Sequence, residues 1–76
     1  MISARFSNET DQGIQLMVEP WGAIELIPAG AKSAIHYDPP VNREDSSFAE
    51  YHIGMIRFWV GGDGYELEIN GVSIPT

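Results

Sequence analysis

The stretch Ile53-Gly54-Met55-Ile56-Arg57-Phe58-Trp59-Val60-Gly61-Gly62-Asp63-Gly64-Tyr65-Glu66-Leu67-Glu68-Ile69-Asn70 decides the fold class. Two runs in which apolar and polar residues alternate flank a glycine-rich segment, the pattern of two half-buried β-strands and a turn. Ile56, Phe58 and Val60 share one face of the first run, opposite Arg57 and Trp59. Tyr65, Leu67 and Ile69 share one face of the second, opposite Glu66, Glu68 and Asn70. The simplest pairing is a hairpin over Gly61-Gly62-Asp63-Gly64. It sets Val60 against Tyr65, Phe58 against Leu67 and Ile56 against Ile69 inside, with Arg57 against Glu68 and Trp59 against Glu66 outside.

The same period of two recurs upstream. Ile2, Ala4 and Phe6 alternate with Ser3, Arg5 and Ser7, and Ile14, Leu16 and Val18 alternate with Gln15, Met17 and Glu19. Asn8 to Gly13 is a polar turn between them, and Pro20-Trp21-Gly22 closes the second run. Ala23 to Ile27 reads as a third strand with either face eligible for burial, because Ile24 and Leu26 lie on one side and Ala23, Glu25 and Ile27 on the other. After the turn at Pro28-Ala29-Gly30, Lys32 to Asp38 is a fourth strand with Ile35 and Tyr37 inward, stopped by Pro39-Pro40. Residues 39 to 49 form the longest loop, with Val41 and Phe48 its only large apolar groups. Asn70-Gly71 is a type I′ turn signal that returns Val72 to Ile74 as a last strand.

Six or seven short strands without an amphipathic helix predict an all-β chain: one domain, a small antiparallel β-sandwich, immunoglobulin-like or prealbumin-like. The order of the turn at Asn8 to Thr10, a long strand, the turn Leu26-Ile27-Pro28-Ala29-Gly30 and a Trp59-bearing hairpin resembles the β-domain of the von Hippel-Lindau family, a small peptide-binding sandwich. The resemblance implies a sandwich and carries over no ligand-contacting residue.

Composition narrows the function classes. With 76 residues and no cysteine, stability rests on a thin core, on a non-thiolate ion or on a partner subunit. A net charge of −7 repels phosphate backbones, and the four basic residues Arg5, Lys32, Arg43 and Arg57 are scattered, which argues against nucleic acid. No apolar run is long enough for a membrane span or a signal peptide, so the expectation is a cytoplasmic protein without membrane contact.

Three constellations stand out. His36-Tyr37-Asp38 and Glu50-Tyr51-His52 mirror each other across the long loop. Paired as antiparallel strands, they bring His36, Asp38, Glu50 and His52 together as a two-histidine, two-carboxylate site for a divalent transition metal, while Tyr37 and Tyr51 face the core. Asn8 to Gly13 with Glu19 has the spacing of a calcium loop but not its carboxylates, and Asn8-Glu9-Thr10 has the form of a glycosylation acceptor. Trp21, Trp59 and Tyr65 could stack on a sugar, which makes a carbohydrate-binding sandwich an alternative. There is no nucleophile elbow and no cysteine nucleophile, so the expectation leans away from an enzyme. The leading expectation is a protein-interaction module that self-associates through an exposed sheet face carrying Trp59, Met17 and Arg57.

Overall fold

The computed structural model describes residues 1–75 of the chain. Its strands are β1 (Ile2–Ser7), β2 (Ile14–Glu19), β3 (Ala23–Ile27), β4 (Lys32–Tyr37), β5 (Phe48–His52), β6 (Met55–Trp59), β7 (Glu66–Ile69) and β8 (Val72–Ile74). They form two four-stranded sheets, ordered β1-β4-β7-β8 and β3-β2-β6-β5. The arrangement is a β-sandwich-like pair of packed sheets. It is not specifically immunoglobulin-like: that fold divides seven antiparallel strands four and three, whereas here β2 and β6 run parallel and the second sheet is mixed.

The predicted faces hold and the predicted hairpin does not. Phe58 and Val60 are buried, as is Leu67, with Ile56, Tyr65 and Ile69 packed against them. Yet β6 and β7 belong to different sheets, so Phe58 and Leu67 meet the core from opposite sides. Residues 60–65 are a crossover between layers. Alternation identifies an inward face, but two strands facing one core from opposite sheets alternate in the same way as two neighbours in one sheet.

The hairpin that does end in β6 begins at β5. Ile53 and Gly54 form its tight turn, with Gly54 at φ 76°, and Phe48 pairs with Trp59, Glu50 with Arg57 and His52 with Met55. This strand raises the count from six or seven to eight. Arg57 and Trp59 consequently face Glu50 and Phe48 across the ladder, rather than Glu68 and Glu66. The Asn70-Gly71 turn is as predicted, with φ of 51° and 80° and Ile69 opposite Val72.

Topology divides the chain at its long loop. The first four strands supply β1-β4 to one sheet and β3-β2 to the other; the last four supply β7-β8 and β6-β5. The halves meet along two seams, antiparallel β4 with β7 and parallel β2 with β6. Leu16, Val18, Ile35 and Leu67 are the largest fully buried side chains, one from each seam strand except β2, which gives two, and β6, which adds Phe58. Phe6 and Tyr37 of the first sheet meet Phe58 edge-on or tilted, with centroids 5.7 and 6.0 Å away.

Candidate functional site

The ladder registers place side chains on the two outer faces without ambiguity, since directly paired residues point to the same side. On the second sheet, Leu26 and Ile24 of β3 stand beside Gln15 and Met17 of β2. These in turn neighbour Met55 and Arg57 of β6, followed by His52 and Glu50 of β5; Glu19, Trp59 and Phe48 complete the next row. The face that the sequence left open in β3 is therefore resolved. Ile27 is buried and Ala23 packs on the core, while Ile24 and Leu26 are 51% and 61% exposed.

Met17, Arg57 and Trp59, singled out from the sequence, do share this face. Met17 lies directly opposite Arg57, and the Trp59 ring stacks on Phe48 at 6.2 Å with 12° between planes. The Trp59 indole Nε1 donates to Glu50 Oε1 at 2.8 Å. The Arg57 guanidinium spans two carboxylates, Nε at 3.6 Å from Glu19 Oε2 and Nη1 at 3.8 Å from Glu50 Oε1. Trp59 is thus half-buried under Phe48, which is itself 53% exposed. What was legible was the strand parity of Met17, Arg57 and Trp59. What was missed is the rest of the patch, Ile24, Leu26, Met55 and Phe48, because it depends on β3 and β5 flanking β2 and β6.

The outer face of the first sheet is different in kind. It presents Ser3, Arg5 and Ser7 of β1, Lys32, Ala34 and His36 of β4, Glu66 and Glu68 of β7, and Ser73 of β8. His36 Nδ1 shares a 2.7 Å hydrogen bond with Ser3 Oγ, and its Nε2 lies 3.1 Å from Glu68 Oε1.

The four residues read as a metal site are not brought together. His36 belongs to β4 and Asp38 follows it, whereas Glu50 and His52 lie on β5 in the other sheet. His36 and the Glu50–His52 pair occupy opposite outer faces, separated by the full thickness of two layers about 10 Å apart. Among the described residues no group of three or more His, Cys, Asp or Glu side chains could hold a metal ion. Asp38 instead lies 4.0 Å from the amino terminus. Tyr37 is buried in the core as expected; Tyr51 shares the inward side with its partner Ile56 but lies on the edge strand β5 and is 77% exposed.

The turn at Asn8 is structural. Asn8 is 2% exposed, and its Nδ2 donates to the carbonyls of Gln12, Ile27 and Pro28 at 2.8, 3.0 and 3.1 Å. Its Oδ1 accepts from Thr10 N and Oγ1. Neither an ion nor a glycan has access to a side chain so enclosed and so fully bonded.

The three aromatic residues considered for sugar stacking separate into two places. Trp59 pairs with Phe48, while Trp21 and Tyr65 approach each other at 5.0 Å with 42° between planes and line a cavity of about 300 Å³ with Ala23 and Gly64. A pair at that tilt is no flat stacking platform.

Compared with known families, curated proteins and solved structures, the chain matches none, and the resemblance to the von Hippel-Lindau β-domain gains no support there.

Proposed function

We propose that the chain is a non-enzymatic protein-interaction module that pairs with a second copy of itself through the outer face of the β3-β2-β6-β5 sheet. The contrast between the two outer faces carries this reading: one is serine, lysine, arginine, histidine and glutamate with a single alanine, while the other sets Met17, Ile24, Leu26, Phe48, Met55 and Trp59 among Gln15, Glu19, Glu50, His52 and Arg57. Clustered exposed large apolar side chains mark interaction sites.

Charge selects the partner. The apolar face holds Glu19, Glu50 and Arg57, so it carries one net negative charge of the seven. Most of the remaining acid, Glu9, Asp11, Asp38, Glu44, Asp45 and Asp63, lies in turns beyond it, where repulsion between copies is screened over about 8 Å at physiological ionic strength. A two-fold pairing repeats each contact, so the half-exposed Ile24, Leu26 and Phe48 count twice, at on the order of 1 kcal/mol each. A standard interface takes about 800 Å² from each partner, about one sixth of this molecule's 4928 Å².

Sedimentation velocity over a concentration series tests the proposal. The expected result is a concentration-dependent monomer–dimer equilibrium that Ile24→Lys abolishes while leaving unchanged the thermal melt recorded at concentrations where the wild type is monomeric, since Ile24 lies outside the core. A wild-type monomer at millimolar concentration overturns it, as does a dimer indifferent to Ile24→Lys. Trp59→Ala is the poorer probe because it also removes the Phe48 stack and the Glu50 hydrogen bond.

A further inference from the structure

The sheets end in four edge strands, β1 and β8 in the first and β3 and β5 in the second. Edges are ordinarily blunted by basic side chains, proline or brevity, because their unpaired main-chain groups template a further strand. β1 carries Arg5, β8 has three residues before Pro75, and β3 lies between Pro20 and Pro28 with Glu25 at its centre. β5, Phe48-Ala49-Glu50-Tyr51-His52, has no such guard, and its one carboxylate is held at Oε1 by Trp59 and Arg57 of β6. Phe48 and Tyr51 are 53% and 77% exposed, and Ile53 beyond them is wholly so.

The turn after β5 fixes which of its main-chain groups are free. Only Ile53 and Gly54 separate it from β6, so His52 and Met55 exchange both main-chain hydrogen bonds, as do the alternate pairs Glu50 with Arg57 and Phe48 with Trp59. The N–H and C=O of Ala49 and Tyr51 therefore point away from β6, and among the described residues no backbone group meets them. A second copy of β5 meets them when it runs antiparallel about a two-fold axis perpendicular to the sheet. Centred on Glu50, that pairing sets two carboxylates directly opposite each other. Centred on Tyr51, it joins the two Tyr51 residues by a reciprocal pair of main-chain bonds and sets Glu50 of each copy opposite His52 of the other. Glu50 Oε2, which has no partner among the described residues, is available to that imidazole. The edge is thus complementary to itself.

We infer that face-paired copies join further through antiparallel β5 edges, in the register centred on Tyr51, into a closed tetramer of two eight-stranded sheets. This rests on the self-association proposed above. The edge axis is perpendicular to the sheet, and the face axis lies between the two faces and parallel to them. The two contacts therefore cross at right angles, the condition for a dihedral tetramer. A single edge offers too few hydrogen bonds to hold two free copies against the loss of their independent motion. In the tetramer two edges close together, the second within an assembly that the first already holds. Ile24→Lys, which removes the face contact, accordingly leaves single copies.

Sedimentation velocity with native mass spectrometry, carried from the dimer range up to about 1 mM, reads this second step. The expected wild-type result is a tetramer that appears above the dimer, with the Tyr51 amide becoming protected from hydrogen exchange as it forms. Tyr51→Pro should stop assembly at the dimer without unfolding it, since proline removes an N–H that the β5-β6 ladder does not use. His52→Glu, which sets a carboxylate opposite each Glu50, should weaken the tetramer at least about tenfold, whereas His52→Lys should not weaken it. A wild type that stops at the dimer overturns the edge inference and leaves the face reading standing; a wild-type monomer overturns both. A tetramer undiminished in Tyr51→Pro, or equally stable in His52→Glu and His52→Lys, also overturns the edge inference.

Discussion

Asn8 joins the two sheets at a single side chain. It ends the β1 segment in the first sheet, yet its amide group satisfies the Ile27 and Pro28 carbonyls at the end of β3 in the second, and its own backbone exchanges hydrogen bonds with Gly30 and Ala31. The position calls for a carboxamide, because three carbonyls need an N–H₂ donor and Thr10 needs an acceptor on the same side chain. Asn8→Ala should cost about 2 to 4 kcal/mol by leaving buried carbonyls unpaired, a fall of some 10 to 20 °C in Tm for a domain of this size. Asn8→Asp should cost more, since it turns an oxygen toward the Ile27 and Pro28 carbonyls. Thermal unfolding followed by circular dichroism measures both, and a change of less than about 0.5 kcal/mol for Asn8→Ala would remove the joint from the account. The sequence showed a polar turn at Asn8 to Gly13. It could not show the burial, which is created by a turn about 20 residues further on.

At the scale of elements, the long loop and the glycine segment explain each other. Asp45 Oδ1 accepts from Ser47 N and Oγ at 3.0 and 2.6 Å, and Oδ2 accepts from the Tyr37 hydroxyl at 2.8 Å. The Gly61 amide donates to Ser47 Oγ, and the Gly61 carbonyl accepts from Arg43 Nη2, so the loop grips the crossover by both of its backbone groups. A Cβ on Gly62 would fall on the Asp38 carbonyl oxygen. Gly61 and Gly62, which read as part of a hairpin turn, are therefore present for close approach, a second use of glycine that composition does not separate from the first. The hydrogen bonds from the Ser47 hydroxyl, then the Ser47 amide and the Tyr37 hydroxyl hold the Asp45 carboxyl below the ordinary value of 3.8. A group with a lowered folded-state pKa contributes its stabilisation above the unfolded value and loses it as the pH falls through the folded one. Protection of the Ser47 amide from hydrogen exchange should thus be complete near neutral pH and disappear only below the ordinary carboxylate range. In Asp45→Ala it should be missing at every pH, and equal protection in that variant would show that the clasp does not order the loop.

For the whole molecule, what could be read was parity and what could not was partnership. Inward residues such as Leu16, Val18, Ile35, Phe58 and Leu67 were recognisable because burial of one strand face imposes a period of two. Partners were not, because Gln15 pairs with Met55 and Ser33 with Ile69, across separations that no local pattern records. Parity marked Trp59, Met17 and Arg57 as outward-facing, and the β2-β6 pairing puts them on one face, while the histidine–carboxylate cluster needed a pairing of β4 with β5 that the sandwich does not make. The two seams between the first four and last four strands carry a further consequence. A cut in the loop between Arg43 and Glu44 yields two pieces, each holding half of both sheets and neither holding a complete one. Neither piece alone covers its apolar strand faces, so each should be disordered by circular dichroism and the two should recombine one to one on mixing, with recovery of the β-sheet spectrum. The chain is in this sense a pair of complementary parts tethered by a loop, each sheet being completed only when both parts are present.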